Sequence, residues 1–142
     1  MYWEKTNCLY SSKGNSKCWF DPHSFLHFGT TSFIYAFLLI GGEYFNIQTR
    51  GALIFWGLVN LIHIIDELLN NFTYLSFENI WHMQKDNDST QNAIGDIICG
   101  LVGTTCIFLT FYLTKPKYRS LFVLAVDIIF SCIVLGLWLH FK

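Results

Sequence analysis

The 142-residue chain is 53% apolar or aromatic and only 13% charged, with a formal net charge of −1. A soluble domain of this size carries about 25% charged residues, so the composition excludes an ordinary water-solvated fold. Nine cations against ten anions also leave no basic excess to drive binding to nucleic acid.

The chain opens on a polar and aromatic tail, residues 1–23, in which Trp3, Trp19 and Phe20 are candidate interfacial anchors. Four windows then match the ~20 apolar residues that cross a bilayer core: 24–40, 51–72, 93–114 and 120–141. The first lies behind about two dozen tail residues and ends without a small-residue cleavage pattern, so it reads as a retained span rather than a signal peptide. Backbone groups in lipid must be satisfied within a helix or a closed barrel, and windows this long exclude barrel strands. The expected fold is all-α, a single membrane domain over residues 1–142 with four transmembrane helices. The expected location is therefore an integral, multi-pass one.

Connections are expected at 41–50, 74–92 and 115–119, the last turned by Pro116. Four crossings put the tail, the 74–92 loop and the C-terminus on one face, termed the tail face. That face carries five cations (Lys5, Lys13, Lys17, Lys85, Lys142) and the other carries four (Arg50, Lys115, Lys117, Arg119). So even a split gives the positive-inside rule no purchase on orientation. Asn71-Phe72-Thr73 and Asn87-Asp88-Ser89 have the glycosylation spelling, but both lie close to the membrane and read as chance matches. Cys99, Cys106 and Cys132 read as small packing residues, while Cys8 and Cys18 could pair only if the tail face is oxidising.

Ionisable groups at membrane depth are costly and are functional candidates by default. His63, Asp66, Glu67 and Asn70 follow i, i+3, i+4, i+7 and share one stripe of the second helix. Asp88, Asn92 and Asp96 do the same on the third helix if it begins near Asp88, and His23 and His27 are one turn apart on the first. The second helix runs toward the tail face and the other two start from it. All three stripes therefore reach one depth on one side, with Glu78 of the connecting loop above them. Asp127 falls nearer the opposite face, outside this group.

An Asp at a helix start is commonly a cap, but Asp66-Glu67 deep in an apolar run have no such role. Five carboxylates converging without a Lys or Arg call for a cation, the competing reading being a protonated hydrogen-bond network. Oxygen donors suit calcium, magnesium or manganese. Asp66, Glu67, Glu78, Asp88 and Asp96 are thus the candidate metal ligands, Asn70, Asn92 and His23 the substrate-orienting groups, and His63 and His27 the acid/base pair. A divalent cation at headgroup depth would meet phospholipid, whose phosphate it could polarise.

The stretches Phe20-Asp21-Pro22-His23-Ser24-Phe25-Leu26-His27 and Asn87-Asp88-Ser89-Thr90-Gln91-Asn92-Ala93-Ile94-Gly95-Asp96 resemble an uncharacterised family of small bacterial multi-pass membrane proteins. That family shows an Asp-Pro-x-Ser-Phe opening, a paired-Glu helix and a Gly-Asp-Ser-x-x-Asn-Ser-x-x-Asp pattern. More distantly, the order Arg50, Trp56, His63 and Asp66, Ser76-Phe77-Glu78, Trp81 and Asp96-Ile97-Ile98-Cys99-Gly100 resembles the base-exchange phosphatidylserine synthases. The resemblance spans roughly residues 20–103. His63 stands where those enzymes have a glutamate, one residue is missing between Phe77 and Glu78, the loop from Trp81 to Asp96 is longer, and the synthases have more helices. What the resemblance implies is metal-dependent phospholipid headgroup exchange or transfer on a minimal bundle, with serine not specified. The expected partner is a membrane phospholipid, and self-association into a homo-oligomer is left open. Two alternatives stay in view: a proton- or cation-conducting protein, which needs a polar path to the far face, and a structural membrane protein without catalysis.

Overall fold

A computed structural model describes residues 19–72 and 90–141. Four long helices make up nearly all of this: α1 (Pro22–Tyr44), α2 (Thr49–Phe72), α3 (Thr90–Leu113) and α4 (Arg119–Phe141), with one 3-10 turn at Pro116–Tyr118. All four are long and apolar enough to cross a membrane, and no strand occurs among the described residues. The protein is an all-α, multi-pass membrane bundle.

The helices are longer than their apolar windows. α1 starts at Pro22 because Asp21 caps it: its Oδ1 accepts from the backbone N–H of His23 (2.8 Å) and Ser24 (3.1 Å), and Ser24 Oγ accepts from Asp21 N–H (3.2 Å). This closes a capping box with proline at the first turn. At the other end α1 continues through Gly41 and Gly42, so the link to α2 shrinks to residues 45–48. Asn46 turns it with φ of 56°, a left-handed conformation that Asn tolerates. Hydropathy marks the stretch that meets lipid, whereas backbone hydrogen bonding sets the length of the helix.

α1 is the central element, packed most extensively against α3 and then α4. Close approach is made possible by glycine on α3. A Cβ on Gly95 would fall on the backbone carbonyl of Trp19, and one on Gly103 would lie 2.5 Å from the carbonyl oxygen of Phe28. Small residues at helix contacts are the usual means of close packing in lipid, where apolar burial gives no drive for association. Large apolar side chains such as Phe37, Ile54, Leu113 and Leu121 point outward. Only 17% of the fourth membrane window is buried inside the bundle, which leaves the rest to lipid.

The half of the bundle away from the tail face is closed by Tyr35, Leu39, Ala52, Ile107, Phe111 and Val123, all buried. At the face opposite the tail Arg119 lies over the Phe111 ring at 4.6 Å and donates from Nε to the Thr114 carbonyl at 3.1 Å. Ser120 Oγ donates to Glu43 Oε2 at 3.1 Å, tying α4 to the end of α1. Midway, Thr104 Oγ1 donates to Asn60 Oδ1 at 3.0 Å and joins α3 to α2. Interhelical hydrogen bonds of this kind contribute about 0.6 kcal/mol, at most ~2. A double-mutant cycle of Asn60→Ala with Thr104→Val, measured by unfolding in mixed micelles, is expected to give a coupling of about 0.5–1.5 kcal/mol. A value near zero would mean the pair merely fills space.

Candidate metal centre

The polar groups of the three helices converge at the tail-face end of the bundle. On α2 the expected stripe divides in two. His63, Glu67 and Asn70 are buried, with Glu67 only 1% exposed, whereas Asp66, one residue over, is half-buried at the edge of the stripe. On α1, His27 is buried while His23, a turn closer to the tail, is exposed; their rings lie 5.9 Å apart. On α3, Asn92 and Asp96 are fully buried, and Asn92 Nδ2 donates to Asp96 Oδ2 at 3.0 Å, the i, i+4 link that their spacing implies. Glu78 and Asp88 lie outside the described residues, as do Phe77, Trp81 and the two glycosylation-like serine and threonine positions. Asp127 is buried on α4, outside the cluster. Contacts of Val134 with Gly29 and of Ser120 with Glu43 set the α1–α4 register and put it level with Ala36.

His27 sits between two carboxylates. Its Nδ1 is 3.1 Å from Glu67 Oε1 and its Nε2 is 3.7 Å from Asp96 Oδ2. The His63 ring is 5.2 Å from the His27 ring, and its Nε2 is 3.2 Å from the backbone carbonyl oxygen of Asp96. A carbonyl can only accept, so Nε2 carries the hydrogen, and in the neutral ring Nδ1 keeps its lone pair. That lone pair faces Glu67 Oε1 across 4.0 Å, too far for a hydrogen bond. One ligand atom each from His27, His63 and Glu67 lies within 4.8 Å of the others, and all three residues are buried.

The donor set is chemically compatible with a metal ion. Ligating histidines characteristically donate their second nitrogen to a carbonyl or carboxylate, which holds ring and tautomer. His63 has the Asp96 carbonyl in that position and His27 has the Asp96 carboxylate nearby, itself held by Asn92. The buried His27, His63 and Glu67 group could therefore hold a metal ion. Asp96 supports it from one step further back. Gly100 makes room for it, since a Cβ there would lie 2.5 Å from His63 Cδ2 and Nε2. Thr31 Oγ1, 3.2 Å from the Gly100 carbonyl oxygen, holds α1 to α3 at the same level.

A cleft of about 540 Å³ between α1 and α2 leads from this cluster into the apolar zone. His27, His63 and Asp66 line its polar end, and Ile34, Leu58 and Ile62 its apolar length. The convergence of stripes was legible in the sequence; the capping role of Asp21, the Thr31 link and the close approaches at Gly95 and Gly100 were not assigned from it. The Asp21-Pro22 pair with Ser24 three positions after Asp21 was a legible capping signal, whereas the glycine approaches had none.

No protein-family model matches the chain, and no curated protein or solved structure matches it either.

Proposed function

We propose that the protein is a metal-dependent enzyme that exchanges or transfers phospholipid headgroups. The observation that carries this reading is the continuity between a buried His27–His63–Glu67 ligand group and a lateral cleft with an apolar interior. A substrate fitting both is polar at one end and hydrocarbon at the other, with the reacting group at headgroup depth.

His27, His63 and Glu67 would hold the cation, which would polarise a phosphoryl oxygen. Of the cations expected from the sequence, manganese suits a mixed nitrogen and oxygen donor set better than calcium or magnesium, and three-ligand His₂Glu sets also serve catalytic zinc. With both histidines engaged, Asp66 at the cleft wall is the group left to manage the proton. It takes the proton from the incoming alcohol as that oxygen bonds to phosphorus, and returns it to the departing alcohol as the old phosphorus–oxygen bond breaks. Relative to the sequence expectation, ligand and base roles are exchanged between the histidines and Asp66. Asn92 and Asp96 position His27, and Asn70 extends the buried face one turn beyond Glu67.

The conducting alternative is less favoured: among the described residues Asp127 is the one buried carboxylate on the far side of the cluster, and the buried core there is formed by Tyr35, Leu39, Ile107, Phe111 and Val123. The test is incorporation of labelled serine, ethanolamine or choline into phospholipid by protein in liposomes, with manganese, zinc, calcium or magnesium. Cation-dependent incorporation that Asp66→Asn lowers by about 100-fold or more is expected for loss of an acid/base group. No incorporation from any alcohol by protein that binds the cation would overturn the headgroup reading.

A further inference from the structure

A second cleft, of about 450 Å³, lies on the other side of α1, against α4. Gly29, Ser131, Val134 and Leu135 form its floor and far wall. Gly29 is what keeps it shallow and smooth, since Val134 methyls approach within 3.2 Å of where a Cβ would stand. Thr30 and Ile34 line both clefts. Spaced i, i+4, they form a single ridge along α1, with a groove on either flank.

The two grooves start at the same depth, at Leu26 in one and His27 in the other, and both run away from the tail face. Among the described residues lining the two grooves, titratable groups occur only at the head of the α1–α2 groove, at His27, His63 and Asp66. The α1–α4 groove is apolar except for the Thr30 and Ser131 hydroxyls, and Thr30 Oγ1 already donates to the Leu26 carbonyl at 2.9 Å. The ridge is low at its head, where Thr30 stands, and higher one turn deeper, at Ile34.

We propose that the two grooves are the paired chain sites of one two-chain lipid that straddles α1. Its phosphate-bearing head lies at His27, His63 and Asp66, its backbone crosses the ridge over Thr30, and one hydrocarbon chain runs down each side of Ile34. A single-chain amphiphile would occupy the α1–α2 groove and leave the other to bulk lipid. This inference rests on the phospholipid reading of the site and adds to it the number of chains and the path of the second one.

The test uses the purified full-length protein and native mass spectrometry after delipidation. The probes are dioleoyl phosphatidylethanolamine and its single-chain lyso form. Groove-filling variants are Leu58→Trp for the α1–α2 groove and, independently, Ser131→Trp and Leu135→Trp for the α1–α4 groove; all three positions are exposed, outside the packed core. Wild type is expected to retain the two-chain lipid about tenfold more strongly than the lyso form. Ser131→Trp and Leu135→Trp should erase that preference without lowering lyso retention, and Leu58→Trp should weaken both. If both α1–α4 variants fold and keep the full preference, the straddling arrangement is wrong, while a loss in Leu58→Trp would leave the phospholipid reading standing. Retention of neither lipid by wild type, together with absent headgroup incorporation, would remove both.

Discussion

Glu67→Gln is expected to abolish stabilisation of the protein by divalent cations and, in their absence, to leave the bundle as stable as wild type or more so. The two signs have separate causes. A ligand present at 100 times its dissociation constant stabilises the folded state by about 2.7 kcal/mol. Replacing the one carboxylate in the His27–His63–Glu67 group removes the negative charge that a cation there would need in a low-dielectric site. Without the cation, burying that carboxylate, 1% exposed, carries a desolvation cost that the neutral amide lowers, and glutamine keeps an oxygen to accept from His27 Nδ1, 3.1 Å from Glu67 Oε1. Thermal unfolding in detergent with and without manganese, zinc, calcium and magnesium measures both effects. Asp127→Asn is the control: it too removes a buried carboxylate, but one outside the cluster, so the cation response should survive. A wild type indifferent to all four cations would dismiss the metal centre in favour of a protonated network, and an undiminished response in Glu67→Gln would place the ion elsewhere.

Gly95→Ala is expected to cost about 3 kcal/mol or more, at the upper end of what overpacking a core does. The added methyl collides with the backbone of Trp19, and a backbone cannot rotate aside as a side chain does. Relief requires the segment before α1 to lift from α3, which would disturb the capping box at Asp21 and Ser24. Gly100→Ala gives a different result from the same chemical change. There the obstacle is the His63 ring at 2.5 Å, which can swing away, so the stability loss is smaller but the cation response is lost with the ligand. Unfolding midpoints and cation shifts of the two variants separate these cases. Equal, small losses with an intact cation response in both would contradict the close α1–α3 and α2–α3 approaches.

The Asp66 and Glu67 pair shows where sequence reasoning reaches its end. Periodicity places both on one polar stripe of α2, and chain direction puts that stripe at the tail-face depth shared with His27, Asn92 and Asp96. Neighbouring residues on a helix point about 100° apart, however, and only the rotation of α2 against α1 and α3 decides which one enters the bundle. Packing buries Glu67 and leaves Asp66 at the cleft wall. The same holds for His27 and His63. Their spacing marks them as candidates, but whether an imidazole is a base or a ligand depends on what its second nitrogen touches. The carbonyl of Asp96 beside His63 is a backbone atom of another helix and leaves no trace in a hydropathy pattern.

Composition and patterning are enough for the solvent, the number of crossings and the common depth of the polar residues. These follow from composition, from the length of apolar runs and from the alternation of direction at each turn, all of which are local or additive. Which polar groups face one another, how glycine lets α3 approach α1, and how a mainly apolar core fills the far half of the bundle follow from three-dimensional packing alone. Those depend on the rotation and spacing of four helices at once, and in lipid these are set by shape and by a few interhelical hydrogen bonds rather than by the hydrophobic pattern.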